Sequence, residues 1–227
     1  MNLRGLYIAI YSFFSLLIGI LCMYFLRSKI PKIRRFWAKS MINLIDIEIE
    51  EIGTFDKSAN LIVVNHNSML DIIILDYLSS KEIAWVANMK LANISVFGWI
   101  FKLPNLILID PQKKNSFKIL INKVKKEINN QRLVGIFPEG TRGDTNNILK
   151  FKKGTKIVAE KLNLKVQPIV LINTRERLDT KNLRATAGKV KVIYLKSIIP
   201  SEVGIHWFSQ LEESIRNTYH AAEGFTE

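Results

Sequence analysis

The chain has 227 residues, of which 48% are aliphatic, aromatic or cysteine, and it carries a net charge of +13. That length holds one substantial domain with a full core and little beside it. The single cysteine, Cys22, excludes an internal disulfide and a multi-cysteine zinc site, while the charge predicts an anionic partner: nucleic acid, anionic lipid or a phosphorylated substrate.

The first element narrows that choice. Gly5–Leu26 is a run of 22 residues without a charge. As a helix it would be about 33 Å long, enough to cross a hydrocarbon core of roughly 30 Å. A secretory signal has a shorter apolar stretch, a more basic start and a small-residue cleavage site. Here only Arg4 precedes the run, and no such site comes before Arg27. The run is expected to be membrane-embedded, either as a span or as a re-entrant hairpin within one leaflet. Arg27, Lys29, Lys32, Arg34, Arg35 and Lys39 follow at once, which puts this flank and all that follows on the cytoplasmic side. After Pro31, Ile33, Phe36, Trp37, Ser40, Met41 and Leu44 fall on one helical face, with Lys32, Arg35 and Lys39 off it. That pattern fits a helix in the headgroup zone, or equally an amphipathic helix packed on the domain. Residues 1–44 therefore read as anchor and interfacial helix, and 45–227 as one catalytic-size domain. Nucleic acid would explain the charge but not the apolar start.

Ile45–Ile52 alternates Ile45, Ile47 and Ile49 with Asp46, Glu48 and Glu50, as a half-buried strand does. Leu61–Val64 suits a central strand. Ser68 can cap a helix running to Leu78, with Asp71 in its first turn, where negative charge is favoured. Ile83–Ala87 and Leu106–Ile109 read as strands. Between them Ile94–Phe101 is apolar on all sides, as core or as a surface for lipid or an acyl chain. Ser116–Asn130 is a basic amphipathic helix with Phe117, Leu120, Ile121, Val124 and Ile128 as its buried stripe. Leu133–Phe137, Val166–Ile172 and Lys189–Leu195 are strands, the last with the lysine alternation of a sheet edge; Thr155–Leu162 and Glu202–Tyr219 are helices. This alternation predicts an α/β fold: a mixed, mostly parallel sheet flanked by helices.

Two stretches carry chemistry. His66 and Asp71 stand five residues apart between the apolar runs Leu61–Val64 and Ile72–Leu75; imidazole moves protons near neutral pH, and a carboxylate can fix its tautomer. After the strand Leu133–Phe137 comes Pro138–Glu139–Gly140–Thr141–Arg142–Gly143, a shaped loop at a strand's carboxyl end, where open α/β sheets bind ligands. Phe151–Lys152–Lys153–Gly154–Thr155 then opens a helix suited to an anion. Gly135 and Gly140 have the spacing of a phosphate-binding P-loop, but Thr141 stands where the lysine belongs, Pro138 lacks an amide donor and Glu139 would repel phosphate. Ser68 is near His66 without a G-x-S-x-G elbow. His206 and His220 lie in the C-terminal helix with no clustered ligands, so no metal site is expected.

His66-x-x-x-x-Asp71, Phe137–Pro138–Glu139–Gly140–Thr141–Arg142 and Pro168–Ile169–Val170 together resemble the glycerolipid acyltransferases, and most nearly the bacterial 1-acylglycerol-3-phosphate acyltransferases. The resemblance covers about Asn60 to Val170 and takes in Lys90, Phe97–Gly98–Trp99 and Ile107–Asp110. It departs at Asn105, where the family has Gly, and at Pro111, where it has an Arg thought to hold the acceptor's phosphate. The resemblance implies a membrane-bound enzyme that moves a fatty acyl group from a thioester to the 2-hydroxyl of lysophosphatidic acid, giving phosphatidic acid. His66 would be the general base, oriented by Asp71. Arg142, supported by Lys113 or Lys114, would pair with the phosphate, within a substrate site that includes Glu139, Gly140 and Thr141. Glu139 would anchor the loop or touch a substrate hydroxyl. No bound cofactor is implied: acyl-CoA or acyl carrier protein is the donor, and membrane lipid is the other partner. The bacterial inner membrane, with the domain on its cytoplasmic side, is the implied location. Another lyso-lipid acceptor, such as a lyso-ornithine lipid or lysophospholipid, is the alternative that Pro111 raises. A non-catalytic protein that holds anionic lipid is the alternative of another class.

Overall fold

The computed structural model describes residues 3–90, 106–143 and 147–223. The apolar segment Ile94–Phe101 and Asn105 lie outside the described residues. The chain opens with helix α1 (Leu3–Phe25), a short 3-10 turn at Arg27–Lys29 and helix α2 (Ile30–Ile45), which takes Pro31 in its first turn, where a missing N–H costs nothing. α1 and α2 pack on each other as an antiparallel pair, and the Arg4 guanidinium donates to the Ile45 carbonyl at 2.8 Å. Large apolar side chains stand exposed along α1, including Leu3, Tyr7, Phe14, Ile18, Leu21 and Phe25.

The domain follows as β1 (Ile47–Ile52), β2 (Leu61–Val64), α3 (Leu70–Leu78), β3 (Ile83–Asn88), β4 (Ile107–Ile109) and α4 (Ser116–Asn129). Next come β5 (Leu133–Ile136), α5 (Lys153–Lys161), β6 (Val166–Ile172), α6 (Thr174–Arg177) and the ribbon strands β7 (Leu178–Asp179) and β8 (Arg184–Ala185). β9 (Gly188–Tyr194), α7 (Pro200–Val203) and α8 (Trp207–Glu223) close the chain. Among the described residues seven strands form one sheet in the order β1-β9-β6-β2-β5-β3-β4. β6, β2, β5, β3 and β4 run parallel; β9 runs antiparallel to β6, and β1 parallel to β9. The sheet is mixed and mostly parallel, with helices on both faces.

Strand alternation sorts the core into two layers. Ile62, Val64, Ile83, Trp85, Leu133, Ile169 and Leu171 face α1, α2 and α3; Leu61, Val63, Ala84, Val134, Val170 and Ile172 face α4, α5 and α8. Strands buried on both faces are continuous apolar runs rather than alternating ones, which is why β2 and β6 stand out in the sequence.

Four expectations need correction. β9 is not the edge: β1 covers it, so the exposed rim carries Glu48 and Glu50, which pair with Lys189. Lysine alternation marked a half-exposed strand face, not an unpaired backbone. The closing helix is two helices, broken at Gly204, whose φ of +95° suits a residue without a Cβ. Phe117 is exposed rather than part of the buried stripe of α4, where Leu120 and Val124 are buried. α2 does pack on the domain, but through Ile30, Ala38, Met41, Ile42 and Ile45, with Arg34 inside the contact; Phe36, placed on the packed face by spacing, is 76% exposed beside Lys32 and Lys39.

Candidate active site

The carboxyl ends of β2, β5 and β6 meet at one edge of the sheet, and three loops leave it there. Asn65 fixes the first. Its carboxamide donates to the Leu171 carbonyl at 2.9 Å and accepts from the Leu171 N–H at 2.8 Å, so the side chain continues the β2–β6 ladder after the backbone has left it. His66 comes next. Its Nδ1–H donates to Asp71 Oδ2 at 2.8 Å, and that oxygen also accepts the N–H groups of Asn67 and Ser68 at 2.9 Å. The Ser68 hydroxyl accepts from the Leu70 N–H at the start of α3 and donates to the Leu178 carbonyl. A five-residue spacing thus becomes contact because the chain turns once and starts a helix under the imidazole, with the carboxylate in the first turn.

Asp71 is fully buried; the His66 side chain is 13% exposed. With Nδ1 committed to a carboxylate, the neutral ring offers Nε2 as proton acceptor, and Nε2 has no hydrogen-bond partner among the described residues. Asp71 Oδ1 likewise has no partner there. Phe137 stacks on the imidazole, centroids 3.8 Å apart and planes 15° from parallel.

The loop after β5 is tied to the same place. Glu139 is buried, and both its oxygens are occupied: Oε1 accepts the His66 N–H at 2.8 Å and Oε2 the Leu149 N–H at 2.7 Å. Burial pushes the Glu139 carboxyl up, opposed by those two N–H groups. Those two bonds tie the loop to the backbone at His66 and Leu149. Gly140 has φ +71° and lies against the Lys152 side chain, so any Cβ there would be both strained and crowded. The Lys152 N–H donates to the Pro138 carbonyl and the Gly143 N–H to the His66 carbonyl, which closes the loop onto both neighbours.

Thr141 and Arg142 stand exposed on this loop, and Arg142 Nη1 donates to Thr180 Oγ1 at 3.0 Å. Lys113 and Lys114 are exposed on the turn after β4, at the same edge of the sheet, with no hydrogen bond or ion pair to residues 137–142. Among the described residues no group of three or more His, Cys, Asp or Glu side chains gathers as a metal site would require.

Beside the site a cavity of about 280 Å³ opens between α1, α2, α3 and the β7–β8 ribbon. Ile8, Ala9 and Leu16 of α1, Met41 of α2, Met69 at the cap of α3 and Ile73 within it line the cavity, and Thr180 sits at its ribbon wall. The ribbon was not expected: two-residue strands within a polar stretch leave no periodic trace. The ring stacked on His66 was missed as well, although Gly135 followed two residues later by Phe137 was a visible signal for close approach.

A sequence model of the Acyltransferase family matches residues 46–172. A 1-acyl-sn-glycerol-3-phosphate acyltransferase of Helicobacter pylori is 35% identical over 220 residues, covering 96% of this chain and 93% of that protein. A lyso-ornithine lipid O-acyltransferase of Rhizobium meliloti is 24% identical over 151 residues, 66% of this chain and 51% of its own length. The crystal structure of the 1-acyl-sn-glycerophosphate (LPA) acyltransferase PlsC from Thermotoga maritima has the same fold, with a TM-score of 0.72 at 21% identity over 97% of this chain and 93% of that one. The chain belongs to the acyltransferase family and is an enzyme of that class. Its similarity to the Helicobacter pylori enzyme runs through the N-terminal helices as well as the domain.

Proposed function

We propose that this enzyme transfers a fatty acyl group from an acyl thioester to the 2-hydroxyl of 1-acylglycerol-3-phosphate, giving phosphatidic acid. The observation that carries this reading is the imidazole of His66, committed to buried Asp71 through Nδ1 and, among the described residues, without a hydrogen-bond partner at Nε2. The acceptor hydroxyl attacks the thioester carbonyl as its proton passes to Nε2. Asp71 stabilises the imidazolium so formed. The tetrahedral intermediate collapses by breaking the C–S bond, and the departing thiolate takes the proton from the ring, which restores the neutral base. A thiolate is a good leaving group, so the acyl group need not pass through the enzyme covalently.

Arg142, with Lys113 or Lys114, binds the acceptor's phosphate. Arginine's planar fork suits that group, and its guanidinium donates to Thr180, a residue of the cavity wall. The cavity takes an acyl chain, since its walls are apolar side chains of α1, α2 and α3. Coenzyme A or acyl carrier protein delivers the thioester.

The hairpin α1–α2 lies in one leaflet. Its exposed apolar side chains run the length of α1, yet the Arg4–Ile45 contact brings the start of α1 back to the start of the domain, so both ends of the hairpin face the same side. The net charge of +13 suits the anionic cytoplasmic leaflet, so that side is the cytoplasm, at the inner membrane of a bacterium.

The relative named for lyso-ornithine lipid and Pro111 in place of the family's cation favour one second acceptor. The test is the purified protein assayed with one acyl thioester against lysophosphatidic acid, lyso-ornithine lipid and lysophosphatidylethanolamine. Turnover of lysophosphatidic acid above the others is expected; an inert lysophosphatidic acid beside an active second acceptor would overturn the assignment.

A further inference from the structure

Asp71 fixes the edge of the His66 ring, but a single hydrogen bond leaves the ring free to swing about that contact. Its plane is set by other residues. Phe137, stacked on the imidazole, itself stacks on the indole of Trp85, centroids 4.8 Å apart and planes within 2° of parallel. The indole is buried against Gly135, its partner across the β3–β5 ladder, where a Cβ would lie 2.5 Å from the indole ring. Its N–H donates to Asp76 Oδ1 at 3.0 Å. Asp76 is gripped in turn by Arg34 of α2, whose Nε and Nη2 donate to it at 3.0 and 2.7 Å and whose Nη1 donates to the Ile83 carbonyl, two residues before Trp85. The Arg34 and Asp76 side chains are each 11% exposed.

A tryptophan in an ordinary core needs volume and a partner for its N–H. This one also has a glycine floor, a nearly coplanar neighbour ring and a bidentate clamp on its acceptor, all on the sheet face that carries the base. We infer that Trp85 is a positioning residue for His66: held by Asp76 and Arg34, it fixes the plane of Phe137 and so the direction of Nε2. The aromatic face also favours the imidazolium that forms as the acceptor loses its proton. This inference rests on His66 being the general base.

Trp85→Leu, in the full-length protein in detergent, is expected to lower kcat per folded molecule about tenfold while both KM values stay within about twofold, because misaimed rather than absent groups cost rate and not binding. Trp85→Phe, which keeps a flat ring over Gly135, should recover most of that loss. Asp76→Asn, which loosens the clamp and keeps the stack, should lower kcat about threefold at unchanged KM. A merely structural role predicts a lower melting temperature with wild-type kcat per folded molecule. That result, or Trp85→Phe no better than Trp85→Leu, overturns the inference. Should Trp85→Leu fail to fold, Asp76→Asn decides: a kcat loss at wild-type KM supports it, and wild-type kcat refutes it. His66→Ala is measured beside them. If it keeps full rate, the base assignment falls and takes this inference with it; if it loses rate while the Trp85 and Asp76 variants keep theirs, only the inference falls.

Discussion

Glu139→Gln exchanges an oxygen for an amide nitrogen in a buried carboxylate both of whose oxygens accept backbone N–H groups. The glutamine has one acceptor oxygen for two donors, so either the His66 or the Leu149 N–H must face an NH2 group. Losing one charge-assisted bond and leaving one buried N–H unpaired costs about 1–3 kcal/mol for each. Removing a desolvated charge offsets part of that, in keeping with the burial that pushes this carboxyl up. A net loss of about 2–3 kcal/mol is expected, which for a protein of this size lowers Tm by roughly 5–10 °C. Thermal unfolding in detergent reads the stability; initial rates below the variant's own transition read the activity. Both should fall, because the same carboxylate joins the loop of Arg142 to the backbone of His66. A variant with Tm within about 1 °C of wild type and a raised KM for the acceptor would refute the anchoring role and make Glu139 a substrate contact.

Asp71→Asn keeps an acceptor for Asn67 and Ser68 but removes the charge that in the proposed mechanism stabilises imidazolium, and should lower kcat about 10²–10⁴-fold with little change in KM; steady-state kinetics check it. Ala9→Phe puts a phenyl ring into the cavity between α1 and α3 and should shift preference toward shorter acyl chains, measured by competition among acyl thioesters of increasing length; an unchanged chain-length profile contradicts the cavity's role. At the far end of β2, Lys165 and then Ser58 hold the Asp56 carboxyl well below the usual carboxylate range. A depressed carboxylate contributes stability above its unfolded value and loses it as pH falls through the folded one. Asp56→Asn should therefore cost up to about 1 kcal/mol above roughly pH 4, as a partly exposed pair allows, and that difference should fade on further acidification; urea unfolding of both proteins across pH reads it.

What was legible in the chain follows from range. β2 is apolar throughout and β6 apolar but for Gln167, because both faces are covered, and the sequence pattern gives the bounds of both strands to the residue. The His66–Asp71 contact was readable because a helix start brings residues five apart together within one turn. The partners of Glu139 were not, since a buried carboxylate and a substrate contact look alike until Leu149 and His66 are seen to donate to it. Trp85 and Phe137 meet only because β5 lies beside β3, a pairing no local pattern encodes, though Gly135 in mid-strand marked where something large approaches. The edge was misassigned because β1 and β9 both alternate apolar and charged residues; only their pairing tells which is outermost. Thr180, the neighbour of Arg142, sits on a ribbon of two-residue strands with no sequence signature.

The central claim is that His66 takes the proton from the acceptor hydroxyl. His66→Ala should leave Tm and both KM values close to wild type and lower kcat about 10²–10⁴-fold, the usual worth of a general base. A folded His66→Ala enzyme that retains kcat within a few-fold of wild type would contradict it.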